Sequence, residues 1–193
     1  MLYVVRHGQT AANAAGQLLG RADVPLTDLG HQQATALAAA LDGQVERVIS
    51  SPLRRARDTA AAFGLPIEVD ERWTELDYGV YDELPLGEVP QEMWERWRGD
   101  AEYAPPEGES LASVGRRVRA ACDDLAAAAA DSDLVVVTHV SPIKASVGWT
   151  LDVGDHVTWR MFVAVASITR IALTERGPIL RSFNEVAHLG QPS

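Results

Sequence analysis

Cysteine is almost missing from this chain. Cys122 is the only one in 193 residues, which excludes an internal disulfide and any metal site built from several cysteines, and points to a reducing, cytoplasmic compartment. Long apolar runs are missing as well. No basic stretch followed by an apolar segment opens the chain, and the first arginine closes the four-residue run Leu2 to Val5, so neither a signal peptide nor a membrane span is expected. The alanines at 126–130 are too few to cross a bilayer and read as a helix end. Positive charge is in deficit, with 17 Lys and Arg against 27 Asp and Glu and a net charge of −10. Such a field repels nucleic acid and anionic lipid. It still allows a local arginine pocket, because salt screens charges beyond roughly 8–10 Å.

What is present is an ordinary globular composition, 47% hydrophobic and 23% charged, which sets disorder and fibrous classes aside. The length suits a single domain, 1–193, with a substantial core. "LYVVR" reads as a buried strand that delivers Arg6, His7 and Gly8 at its carboxyl end. "LTDLGHQQATALAAAL" follows as a helix, capped by Thr27, with Leu29, Leu37 and Leu41 at helical spacing and Gly43 as its stop. "VERVISS" is a second strand, and Pro52 suits the first position of the helix after it. "PIEV" is a third strand.

From about 71 to 109 the periodicity is lost, and tryptophans, prolines and acids accumulate. This segment reads as a functional excursion lying over the active site, with a helical piece from Gln91 to Arg98. Ser110 then caps an amphipathic helix that aligns Leu111, Val114, Val118, Cys122 and Leu125. "DLVVVTH" is a central strand ending in His139, Ser141 and Pro142 open another helix, and "FVAVASITRIALT" and "ILRSF" read as late antiparallel strands. The fold expected is α/β: three layers, with a mostly parallel central sheet and helices on both faces. The strand at 162–174 could also pair across a homodimer edge.

Ligands in such sheets bind beyond the carboxyl ends of the strands. Polar groups collect at three of those ends: Arg6 and His7, Ser51 through Arg55, and Thr138 and His139. Guanidinium groups and helix amino termini suit phosphate oxygens. No carboxylate-rich metal set is evident, so the attacking group would be a side chain, and neutral imidazole can accept a phosphoryl group. An acid must then protonate the leaving oxygen. Glu75 in "RWTELDYG" supplies one, with Glu71, Asp77, Asp82 and Glu83 as neighbouring alternatives.

The blocks "VVRHGQTAAN", "GRADVPLTDLG", "SSPLRRARDTA", "TELDYG", "PPEGES", "VTHVSPIK" and "NEVAHL", in that order, resemble the histidine phosphatase superfamily. Its branches include cofactor-dependent phosphoglycerate mutases and small-molecule phosphatases. The resemblance implies a phosphoglycerate mutase-like fold, no metal and no cofactor. It makes His7 the nucleophile, with Arg6 and Arg55 holding phosphate oxygens and Asn13 adding a hydrogen bond. His139 becomes the second, protonated pocket histidine, and Glu75 becomes the acid and later the base. His188 is expected to brace the tail near the site.

Two departures stand out. Asp82 and Glu83 occupy the place of a Glu-Gly pair, which bears on the pocket wall, and Val140 stands where mutase-like members often have glycine. The activity implied is metal-independent hydrolysis of a small phosphomonoester, with no nucleic acid or membrane partner. A phosphoglycerate mutase is the alternative, and an inactive phosphate-binding protein is the second. The excursion carries only Arg72, Arg96 and Arg98 against many carboxylates, which favours the phosphatase. Arg54, Arg57, His31 and His156 read as surface groups and Trp149 as a packing aromatic, whereas Trp94 and Trp97 are candidates for the leaving-group pocket.

Overall fold

Strand β1 (Leu2–Arg6) and strand β4 (Leu134–Thr138) run side by side in parallel at the middle of the sheet. Their continuous apolar sequence has a simple cause. Leu2, Val4, Leu134 and Val136 pack into one hydrophobic cluster, while Tyr3, Val5, Val135 and Val137 pack into another on the opposite face. A strand covered on both faces has no reason to alternate with polar residues. The computed structural model describes residues 1–128 and 132–190, so Ala129 and Ala130 of the expected helix end lie outside the described residues.

Six strands form one sheet in the order β3-β2-β4-β1-β5-β6. β2 (Arg47–Ser50) and β3 (Ile67–Val69) extend the parallel half, and β5 (Ile168–Thr174) and β6 (Gly177–Glu185) complete it antiparallel. A short helix, α1 (Ala11–Ala14), follows β1. α2 (Asp28–Ala40) and α3 (Arg54–Ala61) lie between the parallel strands, and Leu37, Ala56 and Ala60 join the cluster of Tyr3 and Val5. α5 (Leu111–Ala128) and α6 (Val140–Thr150) cover the other face, where Val114, Val118, Cys122, Leu125 and Ile143 meet Leu2 and Val4. The excursion docks on this same face: Met93 and Trp97 of α4 (Gln91–Gly99) are buried in that cluster. Among the described residues no helix is long and apolar enough to cross a membrane.

Several expectations shift. Thr27 does cap α2, its Oγ1 accepting Gly30 N–H at 3.0 Å, but Leu29 is 46% exposed because the first turn sits at the rim. Pro52 precedes rather than opens its helix: Leu53 is the N-cap of α3, and the Asp23 carboxylate accepts the Arg54 N–H at 2.6 Å. Residues 162–167 are not strand, since β5 begins at Ile168. β5 is also hydrogen-bonded to β1 on one side and β6 on the other. It therefore has no free edge for a second chain, and the sheet's edges are β3 and β6.

Candidate active site

Three parallel strands end at one crevice, where β1, β4 and β2 deliver His7, His139 and Ser51. His7 is buried, and its Nδ1 lies 2.7 Å from the Gly8 carbonyl. A carbonyl only accepts, so Nδ1 carries the proton and Nε2 keeps its lone pair. Burial, then Arg55, then Arg6 push the His7 pKa well below its ordinary value, so the ring is neutral and nucleophilic.

Gly8 has a different use from the close ligand approach that a glycine beside a nucleophile suggests. A Cβ there would sit 2.3 Å from the Gly30 carbonyl oxygen, and one on Gly30 would sit 2.2 Å from the Gln9 carbonyl oxygen. The pair allows the loop after β1 to lie against the first turn of α2, and Thr59 Oγ1 accepts the Gly8 N–H at 3.0 Å.

The His139 ring centroid lies 5.1 Å from that of His7. Arg55 Nε donates to His139 Nδ1 at 3.2 Å, so that nitrogen is unprotonated and Nε2–H points to Ser51 Oγ at 2.7 Å. Burial, with Arg55 next, pushes this pKa down as well. The Arg55 donor and the lowered pKa both favour a neutral ring here, whereas the resemblance implies a protonated His139 in contact with a phosphoryl group.

Arg55 is fully buried. Its remaining bonds go to backbone carbonyls, Nη1 to Ala22 at 2.7 Å and Nη2 to Gly20 at 2.7 Å. Asp82 organises that loop from the far side. Its Oδ1 accepts Gly20 N–H at 2.6 Å, and its Oδ2 accepts Arg21 N–H at 2.9 Å and Ala22 N–H at 3.0 Å. Asp82 is thus a support of the arginine rather than a pocket wall, and Glu83 is exposed.

Arg6, His7, Asn13 and Glu75 line a cavity of about 320 Å³, with Arg55 and His139 packed behind. Arg6 Nη1 donates to the Val163 carbonyl at 2.8 Å, and burial lowers its pKa to about 10. Asn13 spends its Oδ1 on the Thr10 N–H at 3.1 Å in a capping box at α1, which leaves its amide nitrogen for the cavity.

Glu75 is buried and faces the amino terminus of α6: Oε2 accepts Val140 N–H at 3.0 Å, and Oε1 accepts Ser141 N–H at 3.1 Å and Leu76 N–H at 2.7 Å. Its backbone is pinned independently. Arg21 Nε donates to the Glu75 carbonyl at 2.9 Å and Arg117 Nη2 at 3.3 Å, and Glu109 pairs with both arginines. Thr138 Oγ1 also bonds the Trp73 carbonyl, tying the excursion to the end of β4. Of the acidic alternatives, Glu71, Asp77, Asp82 and Glu83 are absent from the lining of this cavity.

The side of the cavity away from His7 is largely apolar and aromatic. Trp94 and Trp97 line it, as expected, together with Tyr78, Trp159 and Leu18. Trp94 and Trp97 centroids are 5.7 Å apart, and Trp94 and Trp159 meet edge-on at 6.3 Å. Trp159 and Lys144 were missed by sequence reasoning. Lys144 was legible in principle, because it follows Val140 by one helical turn and so shares its face. Trp159 carried no such signal. Trp149 instead bonds Asp123, and Arg54, Arg57, His31 and His156 are exposed. His188 does brace this region: its Nε2 meets the Ala166 carbonyl at 2.9 Å, and Ala166 N–H donates to the His7 carbonyl at 3.0 Å.

Paired histidines, clustered guanidiniums and one buried carboxylate at the strand ends of a doubly covered sheet define a phosphoryl-transfer site. The histidine phosphatase superfamily (branch 1) model matches residues 2–186, and the chain belongs to that family. It is 36% identical over 177 residues to the bifunctional protein Rv2228c of Mycobacterium tuberculosis, covering 87% of this chain and 49% of that protein. The chain thus spans about half the length of that relative. A probable phosphoglycerate mutase, GpmB, of Yersinia enterocolitica is 33% identical over 207 residues, covering 100% of this chain and 96% of the relative. Among solved structures, mycobacterial glucosyl-3-phosphoglycerate phosphatase Rv2419c with VO3 superposes with a TM-score of 0.86 at 31% identity, covering 96% and 98% of the two chains.

Proposed function

We propose that the chain is a metal-independent phosphomonoester hydrolase acting on a small phosphorylated metabolite through a phosphohistidine. The observation that carries this reading is His7. Its ring is neutral, its Nδ1 proton is held by the Gly8 carbonyl, and it opens onto a cavity shared with Arg6 and Glu75.

In the first step, His7 Nε2 attacks phosphorus and the P–O ester bond breaks, while Glu75 gives its proton to the departing alkoxide. Arg6 and Asn13 meet the equatorial oxygens, with the Arg55 charge behind them. In the second step, the Glu75 carboxylate takes a proton from water, the hydroxide oxygen attacks phosphorus, and the P–N bond breaks. Inorganic phosphate leaves and the imidazole is restored.

Similarity to GpmB favours a mutase as second reading. A mutase must retain a doubly phosphorylated intermediate, yet Arg6 and Lys144 are the cations among the residues lining the cavity. Arg72 pairs with Asp70 and Asp124, Arg96 stacks on Tyr103, and Arg98 stacks on Trp159. The cavity therefore suits one phosphate better than two. An inactive phosphate-binding protein would lack one of the reacting groups, and here His7, Arg6, Arg55, His139 and Glu75 converge. Hydrolysis of an aryl phosphate in the presence of chelator tests the reading. Wild type is expected to turn over and His7→Ala to lose activity. An inert wild type, or a fully active His7→Ala, refutes it.

A further inference from the structure

The direction of one carbonyl decides whether His7 can attack. Gly8 C=O holds the Nδ1 proton of His7 at 2.7 Å, so the lone pair stays on Nε2 only while that carbonyl keeps its place. An imidazole released from it can carry the proton on Nε2 instead, and a protonated Nε2 does not attack phosphorus. Glycine is nonetheless the residue least able to hold its own carbonyl still. No other residue fits, because a Cβ at Gly8 would meet the Gly30 carbonyl.

The two peptide planes that flank Gly8 are held from outside. In the plane between His7 and Gly8, the N–H donates to Thr59 Oγ1 at 3.0 Å and the carbonyl accepts Ala166 N–H at 3.0 Å. In the plane between Gly8 and Gln9, the N–H donates to Gln33 Oε1 at 2.8 Å. Thr59 is fully buried on α3, and its own hydroxyl proton goes to the Arg55 carbonyl at 2.8 Å, which leaves an oxygen lone pair for Gly8. Gln33 reaches the same loop from α2. A helix interior gives threonine no advantage over alanine, and neither Thr59 nor Gln33 lines the catalytic cavity. What they share is Gly8.

We infer that Thr59 and Gln33 are positioning residues that clamp Gly8 and thereby fix the tautomer and the aim of the His7 ring. The inference rests on the phosphohistidine reading and deepens it. The clamp also joins the nucleophile to the phosphate pocket, since the turn of α3 that ends in Thr59 begins at Arg55, whose Nε donates to His139.

Thr59→Val replaces the hydroxyl with a methyl group of similar size. On an aryl phosphate kcat/KM should fall by about ten- to hundredfold, the scale of a misaimed reacting group. Competitive inhibition by inorganic phosphate should stay within about twofold, because Arg6, Asn13 and Arg55 are untouched. Thr59→Ser should regain most of the lost rate. Gln33→Met, at a half-buried position, should act in the same direction. The double variant should lose less than the product of the two single losses, since either release frees the same carbonyl. Melting temperatures confirm that the variants fold.

A second readout does not depend on turnover. Nitrogen-15 NMR of labelled histidine, with the His7 signals identified by their loss in His7→Gln, should show Nδ1 protonated and Nε2 bare in wild type. Thr59→Val and Gln33→Met should move the Nε2 signal toward the protonated position, and Thr59→Ser should not. An unchanged kcat/KM, a loss that serine does not recover, fully multiplicative losses, or an unmoved His7 tautomer overturns the clamp. A Thr59-dependent tautomer in a protein whose wild type hydrolyses nothing would instead refute the phosphohistidine reading and leave the clamp standing.

Discussion

Two neutral histidines buried at the centre of the sheet make the fold sensitive to mild acid. His7 is 2% exposed and His139 is 0% exposed, and burial together with Arg55 pushes both pKa values well below the ordinary value. The folded state then stays unprotonated at these rings while the unfolded chain takes up protons below about 6.5, so stability falls as the pH drops through that value. Between pH 7 and 5.5, a histidine that titrates at about 6.5 only when unfolded removes about 1.25 kcal/mol, and the pair removes about 2.5 kcal/mol. That is a large share of a typical domain stability of about 5–15 kcal/mol. His188, also shifted down, adds in the same direction. Asp70, Glu109 and Glu185, where burial acts upward but arginine partners win, lose their contribution only nearer the carboxylate range. Urea unfolding followed by tryptophan fluorescence, in half-unit pH steps, measures the slope. A His7→Gln, His139→Gln double variant should flatten most of it. A flat wild-type profile, or an equal slope in the double variant, refutes neutral burial of the two rings.

Two further substitutions separate roles within the site. Glu75→Gln removes the proton donor and should lower kcat by about 10²–10⁴ for alkyl phosphates, with a clearly smaller loss for an aryl phosphate whose leaving group departs unprotonated; equal losses would remove Glu75 from the acid role. Asp82→Asn weakens the three amides that shape the loop around Arg55, so kcat on an aryl phosphate should fall on the order of tenfold. Asp82→Glu should recover most of that, and an unchanged kcat in a folded Asp82→Asn would show that the loop holds Arg55 without it.

Much of this architecture is legible because the strands carry it. A run such as Leu134 to Val137, apolar at every position, has to be covered on both faces, and the polar residues that follow it then have to sit at a rim. His7, Ser51 and His139 could be placed at one crevice from that logic alone. The excursion resists the same reasoning, since its shape is set by long-range bonds. Asp82 binds amides 60–62 residues away in sequence, and no local pattern records such a partner. The sequence therefore marks Asp82 only as a departure that unsettles the pocket wall and invites reading Leu29 as core, and tertiary packing decides both. The strand at 162–174 misleads for a related reason. A β-rich stretch reads as available edge, whereas pairing with both β1 and β6 leaves none.

The acidic chain and its cationic site are reconciled by how the arginines are held. Arg6 and Arg55 are bound by the carbonyls of Val163, Gly20 and Ala22 rather than by carboxylates. A carbonyl dipole satisfies a buried N–H without cancelling the charge, so the positive field persists at the crevice and is available to a phosphoryl group. Several arginines elsewhere are spent on acids: Arg47 on Glu68, Arg72 on Asp70, and Arg117 on Glu109. Burial, reinforced by these same cations, keeps His7 and His139 from protonating. One arrangement thereby serves two needs of phosphoryl transfer, a free imidazole lone pair and a positive seat for the oxygens around phosphorus. Adding a carboxylate beside Arg55 would cancel the positive seat and remove the charge contribution to both depressed pKa values, leaving burial alone to hold the rings neutral.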